Sequence, residues 1–230
     1  MRSGASAREA PTSSAAASLV LAGARSPLER LLHALNQPLT GLQCSMEVAL
    51  ASPRTAEQHV QRLREGLELT ERMRALVEAI REVAQSGAER DRDEDGEAIE
   101  LNALVREVVA DLKPVAEVKG VGLRIEGGEG SSLWVKAGRG SLPTLVFRML
   151  ESALSLADGG SPLRIELSGV ADEGWIRMGW HATLQANDFS RAELGLLVAE
   201  AGWERRGAKW KRERAGNRET VMVQLPTLDG

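Results

Sequence analysis

Two long stretches with apolar residues at helical spacing follow one another near the start of the chain, and they constrain its fold more than any other feature. They cover residues 26–50 and 52–85, and each opens on a Ser-Pro pair. Serine as the N-cap with proline at the first helical position is a start signal for a helix. Because only a short turn separates the two stretches, the sequence predicts an αα-hairpin. Pro38 lies inside the first helix, where it removes a hydrogen bond and predicts a kink.

The predicted hairpin has one apolar face that it cannot cover by itself. In the second helix this face follows a heptad-like seam between charged residues, formed by Val60, Leu63, Leu67, Thr70, Met73, Val77, Ile80 and Ala84. Two copies of such a hairpin bury these faces against each other in a four-helix bundle, so we predict a homodimer. A hairpin that only dimerises has the same pattern, so the seam predicts architecture and not chemistry.

The pattern changes after the hairpin to short strands that alternate with helices, which marks a domain boundary. The residues between are rich in Asp, Glu and Arg and are predicted to be a linker. The first residues of the chain have too few large apolar groups to fold and are predicted to be disordered. The predicted organisation is therefore a tail, a hairpin, a linker and a second domain, over residues 1–25, 26–86, 87–97 and 98–230.

Within the second domain the sequence predicts three helices and seven short strands. The helices cover 102–119, 141–157 and 191–201, the first with Asn102 as its N-cap. The strands cover 99–101, 123–126, 133–136, 163–168, 175–180, 209–214 and 219–225. Helices on one face of a mixed sheet form an α/β sandwich, so the predicted fold class of the whole chain is α+β.

Composition and charge argue against several classes of function. The chain has 230 residues, of which 43% are hydrophobic, enough for one large or two small domains. Its net charge of −4, with the signs interspersed, lacks the basic footprint of a nucleic-acid-binding protein. No apolar run reaches the roughly 20 residues of a membrane span. Cys44 is the single cysteine, as is typical of a reducing compartment, and we expect a cytoplasmic protein.

One titratable side chain, His33, lies at a fixed point on the first helix. At about 100° per residue, the side opposite His33 carries Leu28, Leu31, Leu35, Leu39, Leu42 and Met46. The residues on its own side, at spacings of three, four, seven and eleven positions, are Asn36, Gln37, Thr40 and Cys44. His33 is therefore predicted to face water, where an imidazole is available for chemistry.

The segment at residues 33–39 reads His-Ala-Leu-Asn-Gln-Pro-Leu and resembles the phosphoacceptor box of sensor histidine kinases. In that box a histidine is followed by an acidic residue, a few further positions and then Pro-Leu. The match departs at Ala34, where the family carries Glu or Asp. The resemblance implies that His33 accepts a phosphoryl group. The supporting polar face is then formed by Asn36, Gln37 and Thr40.

The order of elements after the hairpin resembles the ATP-binding domain of the same kinases, of the GHKL or HATPase type. The nucleotide motifs depart from the family's pattern. Arg148 and Ser152 stand where the family has two asparagines that hold Mg²⁺ and phosphate, and residues 179–183 lack the Asp-x-Gly-x-Gly loop that reads adenine. Glu193 replaces a phosphate-contacting glycine, and its carboxylate is expected to repel phosphate. We therefore expect a degenerate domain that does not bind ATP.

Together these resemblances imply a histidine phosphotransferase of a two-component phosphorelay. His33 then exchanges a phosphoryl group with the receiver domain of a response regulator, which supplies Mg²⁺ and an acidic pocket, while this chain itself carries no cofactor. Ala34 agrees with this interpretation, because the family's acidic residue is thought to act as a base in autophosphorylation. Two alternatives stay open: a divergent ATP-dependent sensor histidine kinase, and a non-catalytic dimeric adaptor in which His33 is a surface residue.

The remaining candidate residues have weaker patterns. His59 has no recognisable motif around it, and His181 is expected at a strand end or in a loop. The three histidines and Cys44 lie too far apart in the sequence for metal-ligand spacing, so no metal site is predicted.

Overall fold

The computed structural model describes residues 26–51, 55–85, 97–128, 132–137, 141–170, 173–183 and 190–228. The predicted tail, the Ser-Pro pair at 52–53 and all but the last residue of the predicted linker lie outside these ranges. No helix in the described ranges has both the length and the apolar character that a bilayer span requires.

The predicted hairpin is confirmed as two helices, α1 (Pro27–Ala51) and α2 (Ala56–Gln85). α1 begins with a capping box, in which Ser26 Oγ accepts from the Glu29 amide at 3.2 Å and the Glu29 carboxylate accepts from the Ser26 amide at 3.1 Å. The helix is continuous through Pro38, which is buried.

α2 begins later than the sequence predicted, because Thr55 is its cap. The Thr55 hydroxyl accepts from the Gln58 amide at 3.3 Å, and Gln58 Oε1 accepts from the Thr55 amide at 3.1 Å. This reciprocal pair satisfies two donors that the first turn of a helix leaves free. Further along the hairpin, Gly41 of α1 lies against the side chain of Leu69, so the two helices approach closely there.

The second half of the chain contains the seven predicted strands. They are β1 (Glu97–Glu100), β2 (Gly122–Gly127), β3 (Trp134–Ala137), β4 (Pro162–Val170), β5 (Glu173–His181), β6 (Lys209–Ala215) and β7 (Arg218–Pro226). Five of them form a mixed sheet in the order β2-β4-β5-β7-β6, with β2 parallel to β4 and the other neighbours antiparallel. β1 and β3 form a separate antiparallel pair.

Three helices cover one face of the five-stranded sheet: α3 (Leu101–Lys119), α4 (Ser141–Leu156) and α5 (Arg191–Arg205). Alternate residues of the central strands point into this helical layer, among them Ile176, Met178, Trp180, Val221, Val223 and Leu225. The residues between them face the other side and are exposed or half-buried over most of β5 and β7. This alternation is typical of a sheet that is covered on one face, and the predicted α/β sandwich is confirmed.

Two helix ends in the sandwich differ from the prediction. Asn102 is not the N-cap of α3: it is buried in the first turn, and the Glu100 carboxylate accepts from the amides of Asn102 at 3.2 Å and Ala103 at 2.5 Å. Glu100 can cap the helix because its backbone is still extended as it leaves β1. α5 continues past its predicted end to Arg205, and Gly202 lies on its packed face, where Leu145 of α4 leaves no room for a side chain.

Candidate functional site

The polar face of α1 carries four exposed side chains at the predicted spacing, namely His33, Asn36, Gln37 and Thr40. Leu31, nearly opposite His33 on the helix, and Ala34, about a quarter turn from it, are fully buried. His33 itself is exposed, so the prediction that it faces water is confirmed. The Thr40 hydroxyl donates to the Asn36 carbonyl at 2.9 Å, which holds its side chain along the helix. Within the described part of the chain, no group forms a hydrogen bond with the His33 ring.

This face offers one nucleophilic nitrogen beside several hydrogen-bonding groups. A neutral imidazole carries a lone pair on one ring nitrogen and a proton on the other. The amides of Asn36 and Gln37 both donate and accept, and they lie about one helical turn from His33. Over the described ranges, no cluster of three or more histidine, cysteine or carboxylate side chains could hold a metal ion.

A cleft of about 1200 Å³ lies between α2, α4 and the start of α5. Arg148, Ser152 and Gly195 line it, so it coincides with the place where the sequence motifs put the nucleotide. Charged side chains of both signs line its walls: Glu71, Arg74, Glu78, Glu82, Lys119, Arg148, Glu151, Asp158 and Arg191. His33 is not among the lining residues.

Two basic side chains of the cleft are bound to other parts of the protein. Arg148 forms an ion pair with Glu82 of α2. Lys119 Nζ donates to the Leu154 carbonyl at 2.8 Å and to the carbonyl that follows it, at the C-terminal end of α4. Burial lowers the pKa of Lys119, and the charge of Asp158 opposes that shift. These two cations therefore neutralise a carboxylate and a helix end of the protein itself.

Ser152 stands where the family has the second of its two asparagines, and it is buried where α5 crosses α4. Gly195 of α5 lies directly over the Ser152 hydroxyl, and a Cβ at position 195 would clash with that oxygen. The two helices approach this closely because both residues are small. The close crossing of the two helices therefore requires a glycine at position 195.

Glu193 has a different environment from the one predicted for it. Its carboxylate accepts from Arg212 of β6 through two guanidinium nitrogens, at 2.5 and 2.8 Å, and it does not line the cleft. The same guanidinium donates to Glu219 of β7, which is almost fully buried. Burial would lower the pKa of Arg212, but the hydrogen bonds and charges of the two carboxylates outweigh it and raise that pKa. Glu193 is therefore neutralised, and repulsion from it does not exclude a phosphate from the cleft.

Asp158 is a carboxylate at the edge of the cleft that the sequence analysis missed. Its Oδ2 accepts from the amide of Thr183 at 2.7 Å and from the Thr183 hydroxyl at 2.5 Å. Its own amide donates to the carbonyl of His181, the exposed last residue of β5. The sequence signal was weak, since Asp158 lies between the end of α4 and a Gly-Gly turn and far from Thr183 in the chain. These hydrogen bonds hold residues 181–183, which lie in the segment where the family's pattern has its adenine-reading loop.

No protein-family model matches the sequence, and a comparison with curated proteins finds no match. Solved histidine kinases share the fold. AdeS of Acinetobacter baumannii has 16% identity and a TM-score of 0.53, over 86% of this chain and 98% of AdeS. A histidine kinase from Burkholderia phymatum STM815 has 14% identity and a TM-score of 0.52, over 88% of this chain and 99% of the kinase. ShkA, solved at full length with AMPPNP, has 15% identity and a TM-score of 0.54, over 90% of this chain and 47% of ShkA.

These similarities span both parts of the molecule. The chain has the fold of a histidine kinase core, in which an N-terminal helical hairpin is followed by an α/β sandwich of the HATPase type. The resemblance that the motif at 33–39 indicated is thereby confirmed at the level of the fold.

Proposed function

We propose that this chain is a two-component signalling protein in which His33 exchanges a phosphoryl group with the receiver domain of a response regulator. The observation that carries the proposal is the exposed His33 on the polar face of a hairpin helix, in a chain with the fold of a histidine kinase core. The motif around His33 supports the same assignment, since it matches the phosphoacceptor box except at Ala34.

The transfer step needs little covalent chemistry from this chain. The lone pair on a ring nitrogen of His33 forms a bond to phosphorus as the phosphorus–oxygen bond of an aspartyl phosphate breaks, and the aspartate leaves as a carboxylate. The ring then loses its remaining N–H proton to water. The reverse transfer regenerates the aspartyl phosphate. Catalysis rests on positioning, and the receiver supplies Mg²⁺. Asn36, Gln37 and Thr40 support the step by offering polar contacts to the incoming domain.

We further propose that ATP is not the phosphate donor. In the cleft, Arg148 is paired with Glu82 and Ser152 is packed under α5, so neither position offers the amide oxygen that Mg²⁺ would bind. Lys119 is bound to carbonyls at the end of α4. Asp158, a carboxylate at the edge of the cleft, accepts hydrogen bonds from the amide and the hydroxyl of Thr183. These side chains of the cleft are therefore bound to other groups of the protein, which favours a structural role for them over the binding of a Mg-nucleotide.

A labelling experiment with two donors tests the proposal. The full chain is incubated with radiolabelled Mg-ATP, and separately with a panel of receiver domains that carry labelled aspartyl phosphate. We expect acid-labile label on the chain from at least one receiver and none from Mg-ATP. Label from Mg-ATP would instead support a divergent histidine kinase. If neither donor labelled the chain, the result would support a non-catalytic dimeric adaptor.

We also propose that the hairpin pairs with a second copy of this chain. The part of the hairpin distant from the sandwich exposes large apolar side chains on both helices, and Leu63 and Leu67 of α2 are 69% and 64% exposed. The set at helical spacing comprises Leu39, Met46, Val60, Leu63 and Leu67. A continuous apolar face on a helical pair is the pattern that a four-helix bundle buries.

Aspartate at both Leu63 and Leu67 is expected to convert the dimer to a monomer while the helix content is retained. The two charges would have to be buried without partners in the bundle, and an unpaired buried charge is strongly unfavourable. Size-exclusion chromatography with light scattering gives the mass. The matched control replaces the exposed polar neighbours Arg64 and Glu68 by aspartate, and it should leave the dimer intact. A monomeric parent chain would contradict the proposal.

A further inference from the structure

We infer that α5 holds the sandwich in one fixed position on the hairpin, and that Ala34 is the residue on α1 that makes this docking possible. The inference concerns the arrangement of the two parts of the chain, so it stands or falls independently of phosphotransfer to His33.

The docking is built on an apolar cluster that is separate from the core of the sandwich. The hairpin contributes Leu31 and Ala34 from α1 and three residues of α2, and α5 contributes four. The members are Leu31, Ala34, Leu76, Ala79, Val83, Leu194, Leu197, Val198 and Ala201. All of them are at most 7% exposed, so the contact between the two parts is as dry as an interior. α5 thus packs one face on the sheet and another on the hairpin.

Two ion pairs also join the same two parts. The Arg30 guanidinium of α1 donates to both carboxylate oxygens of Glu200 on α5, at 2.8 Å each. Burial raises the pKa of Glu200, and the charge and hydrogen bonds of Arg30 oppose this shift. A second ion pair joins Arg148 of α4 to Glu82 of α2. Two ion pairs between the hairpin and the sandwich add directional contacts to the apolar cluster, and such contacts fix orientation as well as position.

Ala34 is the contact that a larger or charged side chain would disrupt. It is 0% exposed within the cluster, although its neighbour His33 is exposed. A carboxylate at position 34 would enter this dry contact, where Arg30, one turn earlier on α1, is already paired with Glu200. A buried charge that lacks its own partner is strongly disfavoured. The alanine therefore has two effects. It removes an acidic group from beside His33, and its small side chain lets α5 pack on the face of α1 that lies away from His33.

The docked arrangement affects both the exposure of His33 and the position of the cleft. α5 covers the side of α1 opposite His33, so the imidazole stays open to an incoming domain. The cleft, in contrast, is closed on one side by α2, and His33 does not line it. While the sandwich stays docked, the contents of the cleft are held away from the His33 of the same chain.

A distance measurement by pulsed electron paramagnetic resonance tests the docking. One spin label is attached to the native, exposed Cys44 of α1 and a second to Ser168→Cys on the exposed side of β4. A large excess of unlabelled chain removes distances between copies. We expect one narrow distribution for the parent and a broad one for Ala34→Glu. The matched control, Ala56→Glu at an exposed position in the first turn of α2, should keep the narrow distribution.

Further variants distinguish a loss of docking from a loss of folding. Leu197→Glu places the charge on α5, at a residue that belongs to the docking cluster and not to the sandwich core, and it should broaden the distribution equally. Arg30→Glu should loosen the docking, and the double exchange Arg30→Glu with Glu200→Arg should restore it. A broad distribution in the parent chain would overturn the fixed docking. A narrow distribution in Ala34→Glu would overturn the role of Ala34, and a narrow one in Leu197→Glu would overturn the role of α5.

Discussion

Replacement of His33 by glutamine is expected to abolish labelling of the chain by phosphorylated receiver domains. Glutamine keeps a polar, hydrogen-bonding side chain at an exposed helical position but lacks a nucleophilic nitrogen, because its amide lone pair is delocalised. Surface substitutions of this kind typically change stability by no more than about 0.5 kcal/mol. A complete loss of acid-labile label with unchanged helix content would therefore assign the transfer to the imidazole itself.

His59→Gln is the matched control for this experiment. His59 is also an exposed histidine of the hairpin, near the start of α2, and it lies outside the motif at 33–39. Labelling of His59→Gln should equal that of the parent chain. If His33→Gln still accepted label, or if His59→Gln lost it, His33 would not be the acceptor.

The helices and strands of this chain were predictable because each follows from local chemistry. The apolar period in α1 and α2 and the alternation in β5 and β7 fix which residues face inward, and these patterns are legible without the structure. The ends were harder. Thr55 caps α2 and Glu100 caps α3, although the sequence also offered the Ser-Pro pair at 52–53 and Asn102 as caps for these helices. Only the path of the backbone decides which candidate forms the capping hydrogen bond.

The candidate site was predictable only in part, for a related reason. The exposure of His33 follows from its place on one amphipathic helix. The partners of the charged residues depend instead on tertiary packing: Arg148 pairs with a residue 66 positions away, and Arg30 with one 170 positions away. Glu193 was expected to repel phosphate because it stands where the family's pattern has a phosphate-contacting glycine. Its partner Arg212 comes from a strand that follows later in the chain.

Replacement of Arg212 by methionine is expected to destabilise the chain by about 3–5 kcal/mol, the usual cost of removing one partner of a buried ion pair. The side chains of Arg212, Glu193 and Glu219 are only 26%, 12% and 4% exposed. Methionine keeps much of the apolar stem but leaves two carboxylates that have lost their shared cation. Arg214, which is 3.4 Å from Glu219, retains part of the compensation, so the lower end of the range is expected. Urea unfolding followed by circular dichroism measures the loss.

Arg177→Met is the matched control for the destabilisation. Arg177 pairs with Glu166 at 3.3 Å on the open face of the sheet, where the two side chains are 52% and 47% exposed, so its loss should cost only about 0–1 kcal/mol. A third variant combines Arg212→Met with Glu193→Gln and Glu219→Gln, and it should recover part of the lost stability because no charge is then buried without a partner. If this triple variant were as unstable as Arg212→Met alone, packing of the arginine stem, and not compensation of charge, would hold α5 to β6 and β7.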